Sequence, residues 1–306
     1  MSKHLQELEK KFSGGVVDLN DFQKGDVIGV GGFGKVYKAI YKPTREICAI
    51  KELANTDHLT EEIISEYRHE IEIVAKCRYS FVLSIYGFTI KPPLAIVMPF
   101  LENGSLYNYT RKHHYVSRLN PTQNTLIAMG IAYGMMRLHA HKIIHRDLKS
   151  LNILLDSKFL PFICDFGIAR TSSKREKKSE EMTKDIGSTY WMAPEQMASS
   201  NYDEKVDVYS YGMILYEMLA HKMPFEGKPP LGVAIKVQQG GRPKIPSGNH
   251  QITKLMAQCW HQNPKKRPSF KQIFEKFQKR KVMFDETETK AMKVLVKMIE
   301  DTEKKA

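Results

Sequence analysis

Two hydrophobic periods divide this 306-residue chain, and the division comes early. From Asp21 to about Ile96, short segments rich in β-branched and aromatic residues dominate, at 27–28, 36–41, 47–50, 81–88 and 94–98. One helical pattern interrupts them. Between Leu59 and Cys77, apolar Ile63, Ile64, Tyr67, Ile71 and Val74 recur along one helical face. After Phe100 the pattern turns mostly helical. Asn120-Pro121-Thr122-Gln123 is a helix start, with Asn as N-cap, Pro at N1 and Gln at N3. Leu126, Met129, Tyr133 and Met136 then mark one face of a helix running to about Leu138, and further helices are expected over 203–219, 231–238, 251–259 and 270–277. A β-rich start and a helical remainder predict an α+β chain of two lobes with a cleft between them.

The ends are less decided. Residues 1–20 are polar, contain Gly14-Gly15, and read as a short helix or a frayed leader. Residues 285–306 carry Met292, Leu295, Met298 and Ile299 at helical spacing, so this tail docks on the larger lobe, binds a partner or frays. The stretch 171–185 is the most charged and least periodic, and is expected to be a mobile loop.

Gly29-Val30-Gly31-Gly32-Phe33-Gly34-Lys35-Val36 follows one β-like segment and opens another. Glycines let backbone N–H groups approach phosphate oxygens without a Cβ in the way. In dinucleotide-binding folds the third glycine opens a helix; here it opens 35–40, which reads as a strand, so the loop is a hairpin over a nucleotide. Lys51 ends the buried strand Cys48-Ala49-Ile50-Lys51. A buried ammonium needs partners, and nucleotide α- and β-phosphates would supply them, with Glu70 on the following helix as counter-ion. Further on, His145-Arg146-Asp147-Leu148-Lys149-Ser150-Leu151-Asn152 precedes Asp165-Phe166-Gly167, with the apolar run Ile153-Leu154-Leu155 between them. Two carboxylates, an amide and a lysine suit a reaction in which one carboxylate orients a hydroxyl and another holds Mg²⁺ between phosphate oxygens.

Glycine loop, strand lysine, helix glutamate, the HRDLKxxN stretch, Asp-Phe-Gly and Ala193-Pro194-Glu195 stand in an order that resembles the eukaryotic protein kinases. The likeness runs from about Asp21 to Arg280. It implies a bilobal protein-kinase fold, with a small β-rich N-lobe carrying one helix (about 21–98), a larger mainly helical C-lobe (about 102–280), a leader at 1–20 and a helical tail at 281–306. The resemblance extends to Asp207-Val208-Tyr209-Ser210-Tyr211-Gly212, similar to the helix that anchors the catalytic loop. It extends also to Arg267, similar to the arginine that pairs with the Glu195 position.

Carried over residue by residue, the resemblance implies that Asp147 accepts or orients the substrate hydroxyl proton. Asn152 and Asp165 would hold Mg²⁺, Lys51 would bind the α- and β-phosphates of ATP while paired to Glu70, and Lys149 would steady the γ-phosphate. Gly29, Val30, Gly31 and Gly34 would cover the phosphates, and Val36, Ala49 and Leu154 would sandwich the adenine. Met98 resembles the gatekeeper, and Pro99-Phe100-Leu101 the hinge. Pro99 replaces the family's usual acidic residue and has no N–H, but the N–H at Leu101 can still donate. Lys149 and the ending Gly187-Ser188-Thr189-Tyr190-Trp191-Met192-Ala193-Pro194-Glu195 resemble serine/threonine kinases of the tyrosine-kinase-like (TKL) group. Ser188 stands where threonine is commoner, yet keeps a hydroxyl for Asp147 and Lys149. Tyrosine or dual specificity, and a pseudokinase scaffold, are the alternatives; Lys51, Asp147, Asn152 and Asp165 are all present, which speaks against the scaffold. Arg146 implies control by a phosphate on the activation segment, supplied by an upstream kinase or by trans-autophosphorylation. Thr171, Ser172, Ser173, Ser179 and Thr183 are candidates, with Thr183 best placed. One further departure is Tyr79-Ser80-Phe81, where the family often has a His-Pro-Asn-like turn.

Bulk properties exclude little else. The longest clear apolar run, 94–98, is far short of the roughly 20 residues that span a bilayer. No secretory signal is expected, and Ser2 excludes N-myristoylation. Four separated cysteines, Cys48, Cys77, Cys164 and Cys259, read as reduced thiols of a cytoplasmic or nuclear protein. The histidines at 113, 114, 139, 141 and 145 lack the spaced partners of a zinc site. The net charge of +13 is scattered without a basic aromatic helix, which reads as solvated surface rather than a nucleic-acid site.

Overall fold

The computed structural model describes residues 3–31, 34–54, 60–77, 79–111, 118–166, 170–171, 186–248 and 250–304. The chain divides into two compact units. The first covers 1–78 and 82–102 with residues 166–168; the second covers 79–81, 103–165 and 169–306.

The first unit is a five-stranded antiparallel sheet with two helices. Helix α1 spans Lys3–Lys11, and the strands are β1 (Phe22–Gly31), β2 (Gly34–Tyr41), β3 (Ile47–Leu53), β4 (Gly87–Phe88) and β5 (Ala95–Pro99). Helix α2 (Glu61–Lys76) follows β3 and begins where the Thr60 hydroxyl accepts from Ile63 N–H at 3.3 Å. Sheet order is β1-β2-β3-β5-β4. Because side chains alternate across a strand, the two faces build separate clusters. Ala39, Cys48, Ile50, Ala95 and Val97 pack with Phe22 on one face. Ile96 joins Ile64, Tyr67 and Ile71 of α2 and Leu5 and Leu8 of α1 on the other.

Of the two readings of 1–20, a short helix or a frayed leader, the structure shows the helix: α1 carries two core leucines. One expectation changes here. The segment 81–88 is strand only at Gly87–Phe88. Phe81, Val82 and Leu83 are buried outside any named strand, and Phe81 takes a positive φ of 66° that a strand cannot accommodate.

The second unit is mainly helical. Its elements are α3 (Leu106–Tyr109), α4 (Pro121–Ala140), β6 (Ile143–Ile144), β7 (Ile153–Leu155), β8 (Pro161–Ile163) and β9 (Arg170–Thr171). They continue as α5 (Pro194–Ala198), α6 (Lys205–Ala220), α7 (Pro230–Gln238), α8 (His250–Cys259), α9 (Phe270–Gln278) and α10 (Thr289–Glu303). Asn120 and Gln123 form a complete capping box on α4, at 2.8 and 2.9 Å. The amphipathic face expected for α4 is corrected: Leu126 and Met136 are only half-buried, while residues 127–135 are buried without a break. A helix enclosed on all sides has no polar stripe for periodicity to show. Close contact is part of the reason. A Cβ on Gly134 would meet Ile163 Cδ1 at 2.8 Å and the Phe81 carbonyl at 3.1 Å. The tail docks as α10, burying Met292, Leu295 and Ile299, while Glu303 bonds the Tyr133 hydroxyl and pairs with Arg137 at 2.9 Å.

Candidate active site

The expected nucleotide residues of the first unit share one face of the sheet. Val36 lies opposite Lys51, and Ala49 opposite Met98, while Ala49 and Lys51 are two residues apart on β3. Period-two alternation therefore puts all four on one side. The glycine segment is a hairpin, as expected: Gly29 pairs with Val36, Val30 with Lys35 and Gly31 with Gly34. Gly34 has φ +141°, and a Cβ there would fall 1.9 Å from the Glu52 carbonyl, so no other residue fits. Residues 32 and 33 lie outside the described residues.

Lys51 Nζ donates to Glu70 Oε1 at 2.7 Å, with both side chains 13% exposed. Neither charge could stay so shielded without the other. Tyr67, one helical turn before Ile71, ties α2 to the sheet by donating to the carbonyls of Thr89 and Ala95, each at 2.8 Å. At the end of β5, Pro99 pairs with Cys48 and leaves the sheet towards half-buried Leu101.

The second unit gathers Asp147, Lys149, Asn152 and Ser188. Lys149 Nζ lies 2.7 Å from Asp147 Oδ2 and donates to Ser188 Oγ at 2.7 Å. The Asn152 amide donates to the carbonyl and to Oδ2 of Asp147, both at 2.9 Å. Its NH₂ group is thereby committed, which leaves its oxygen as the atom suited to a hard cation. Burial raises the Asp147 carboxyl above its ordinary range, against the pull of the Lys149 charge and the hydrogen bonds of Lys149 and Ser188. Asp165 follows at the end of β8, in the left-handed region at φ 65°. Cys164 N–H donates to the Asn152 carbonyl at 3.0 Å, so the two proposed metal ligands sit on bonded segments. Leu154 lies in β7, opposite Phe162.

Asp207 of α6 organises the loop that carries Asp147. It accepts from the backbone N–H of His145 at 2.9 Å and of Arg146 at 2.8 Å, and bonds His139 Nε2 at 2.8 Å. Complete burial works to raise this carboxyl, but the His139 bond and charge, with His145 and Arg146, outweigh it and hold it below the usual range. His145 Nε2 in turn meets the Cys164 carbonyl at 3.0 Å. These histidines therefore serve hydrogen bonds, and among the described residues no cluster of His, Cys, Asp and Glu forms a metal centre. Arg267 donates to Glu195 at 2.9 Å with its guanidinium fully buried.

A family model described as protein tyrosine and serine/threonine kinase matches residues 22–277. The chain belongs to this protein kinase family. Among curated proteins, the kinase domain is 37% identical over 268 residues to a probable serine/threonine-protein kinase of Dictyostelium discoideum, covering 87% of this chain and 28% of that protein. It is 37% identical to serine/threonine-protein kinase STY46 of Arabidopsis thaliana, over 86% of this chain and 44% of that protein. Serine/threonine-protein kinase VIK of the same plant is 34% identical, over 85% of this chain and 60% of that protein. The chain thus spans less than half the length of the first relatives it matches.

Sequence reasoning missed one hub of the kinase domain. Glu217 of α6 is fully buried and accepts from Arg111 at 2.6 Å, Trp191 Nε1 at 2.6 Å and the Ser150 hydroxyl at 2.8 Å. Burial still raises its carboxyl, opposed by the Arg111 charge and these bonds. A lone glutamate inside the apolar run Met213-Ile214-Leu215-Tyr216-Glu217-Met218 was the available signal. Also unexpected is Tyr202, whose hydroxyl accepts from Arg146 Nε at 2.6 Å. Thr171 pairs through its backbone with Ile143 in β9, whereas Ser172, Ser173, Ser179 and Thr183 lie outside the described residues.

Proposed function

We propose that this chain is an ATP- and Mg²⁺-dependent serine/threonine protein kinase that moves the γ-phosphoryl group of ATP to Ser or Thr hydroxyls of protein substrates. The observation that carries the reading is the Asp147–Lys149–Ser188 arrangement at 2.7 Å contacts, together with the intact Lys51–Glu70 pair. A pseudokinase usually shows as a lost lysine, catalytic aspartate or Asp-Phe-Gly aspartate, and Lys51, Asp147 and Asp165 are all present.

In this reading Asp147 orients the acceptor hydroxyl and takes its proton. Lys149 stabilises charge on the transferring group, which is the main demand of a loose phosphoryl-transfer transition state. Lys51, held by Glu70, binds the α- and β-phosphates under Gly29, Val30, Gly31 and Gly34, and Val36, Ala49, Met98 and Leu154 supply the apolar surround of the adenine. The Leu101 N–H, beyond Pro99, reads the adenine edge. Oxygen donors of Asn152 and Asp165 suit Mg²⁺, which when bound neutralises phosphate charge. Domain limits of 21–280 with a tail over 281–306, TKL membership, and activation by phosphorylation at Thr183 belong to the same proposal. The four cysteines, far apart in sequence and without a paired spacing, support a reducing compartment, cytoplasm or nucleus. No described helix is long and apolar enough to cross a membrane.

The test is magnesium-dependent phosphate incorporation into a generic basic protein, with Asp165→Ala as control. Turnover abolished by that substitution supports the kinase; its absence under activating conditions supports a scaffold. Phosphosite mapping on a peptide array then separates Ser/Thr from Tyr acceptors. Unchanged turnover in Thr183→Ala would remove the activation-segment part of the proposal.

A further inference from the structure

Helix α1 precedes the family match, which begins at residue 22, and has no part in the function proposed above. It is nevertheless built into the first unit. Leu5 and Leu8 are 3% and 0% exposed, and with Phe12 they pack on Ile64, Tyr67 and Ile71 of α2. Positions 5, 8 and 12 alternate by three and four residues, the spacing of a seam between parallel helices.

Polar contacts run along the same seam in matching order, and those of Glu7 and Lys11 are ion pairs. His4 meets Glu61 at 3.6 Å, Glu7 meets Arg68 at 2.6 Å, and Lys11 meets Glu72 at 3.0 Å. Arg68 also bonds Glu72 at 3.1 Å and His4 Nδ1 at 2.9 Å, so the charges form a network rather than isolated pairs. Beyond α1 the chain is pinned again, Val17 N–H donating to the Phe88 carbonyl at 3.0 Å.

Glu70 lies on α2 between Arg68 and Glu72, the two residues that α1 grips. Tyr67 ties α2 to the sheet by directed hydrogen bonds, whereas Ile64 and Ile71 meet it through apolar packing, which resists turning less. The α1 seam adds a line of contacts, and any rotation or slide that draws Glu70 off Lys51 must break it. Resting on the kinase reading above, we propose that α1 is a positioning element of the active site: Leu8 and Leu5, with the Glu7–Arg68 and Lys11–Glu72 pairs, hold α2 in the register that keeps Glu70 on Lys51.

The experiment compares Leu8→Ala in the full chain and in a Glu70→Gln background, well below the unfolding temperature. Acting through Glu70, Leu8→Ala lowers kcat/KM for ATP about tenfold in the first background and less than about twofold in the second, since coupled residues are not additive. Leu8→Met, which refills the site, restores the rate. Labelling of Lys51 by an amine acylating reagent, read by mass spectrometry, needs no turnover, and Leu8→Ala should speed it about threefold or more as the Glu70 partner is lost. Equal fold-losses in the two backgrounds, or a lower melting temperature with unchanged kcat/KM and Lys51 labelling, overturn the inference. If Leu8→Ala does not fold, Leu8→Val carries the same comparison. A wild-type chain without turnover sinks the kinase reading alone, because Lys51 labelling still decides the role of α1.

Discussion

The Lys149 ammonium stands 2.7 Å from the Asp147 carboxylate, and the same nitrogen donates to Ser188. Burial raises the Asp147 carboxyl, and the Lys149 charge is the largest influence opposing that rise. Lys149→Met should therefore lower kcat about 100-fold, the usual scale for losing one transition-state donor. It should also move the acid limb of the kcat/KM–pH profile to higher pH, because the largest charge opposing desolvation is gone. A carboxyl raised on folding favours the native state below its unfolded pKa and loses that contribution as pH rises through the folded value. The variant's stability should accordingly fall more steeply on the alkaline side of that range. An unmoved acid limb would count against Asp147 as the group that takes the proton.

Ser188 separates the hydroxyl from the side chain that carries it. Ser188→Thr keeps an oxygen for Lys149 and should retain kcat within about threefold, whereas Ser188→Ala should lose about tenfold, the lower end for a positioned catalytic hydrogen bond. Steady-state rates of the two variants decide it.

Gly34 is defined by space. Its positive φ and the Glu52 carbonyl behind it leave no room for a Cβ. Gly34→Ala should destabilise the first unit by about 1–3 kcal/mol, the scale of local backbone strain, and weaken nucleotide binding with it. Thermal unfolding with and without ATP would show both effects.

Glu217 binds three donors from separate segments. Glu217→Ala leaves the Arg111 guanidinium buried without its carboxylate, for which a loss of about 3–5 kcal/mol is expected. Urea unfolding measures it, and a change under about 1 kcal/mol would mean the hub is incidental.

Asp207 gives the opposite pH dependence from Asp147. Burial works to raise its carboxyl, but His139 and the other donors hold the folded value below the unfolded one. It therefore stabilises the fold above the ordinary aspartate pKa of about 3.9, and that contribution disappears as pH falls through the lower folded value. Asp207→Asn should flatten the acid limb of the stability–pH curve and cost about 2–4 kcal/mol at neutral pH, on the scale of breaking a buried hydrogen-bond network.

Much of the site was legible because its chemistry is local in sequence. The Asp147 to Asn152 stretch and Asp165 carry their spacing with them, and the hairpin at Gly29 to Val36 follows from glycines between two strand patterns. The Lys51–Glu70 pair was also readable, since a lysine ending a buried strand asks for a partner and the next helix offers one. What escaped was non-local. Glu217 meets Arg111 across 106 positions and Ser150 across 67, and no period links them. Gln196, whose amide donates to the Arg146 carbonyl at 2.9 Å, was equally silent.

By itself the sequence determined the α+β composition, the order of the groups proposed to handle phosphate and the capping box on α4, each read from short local patterns. Tertiary structure alone decided that α1 is core rather than leader, that α4 has no exposed face, and that 81–88 runs irregularly around Phe81. Local pattern states which residues prefer burial. It does not state what will cover them, and Leu5 and Leu8 are buried only because Ile64, Tyr67 and Ile71, some sixty residues away, present a matching surface.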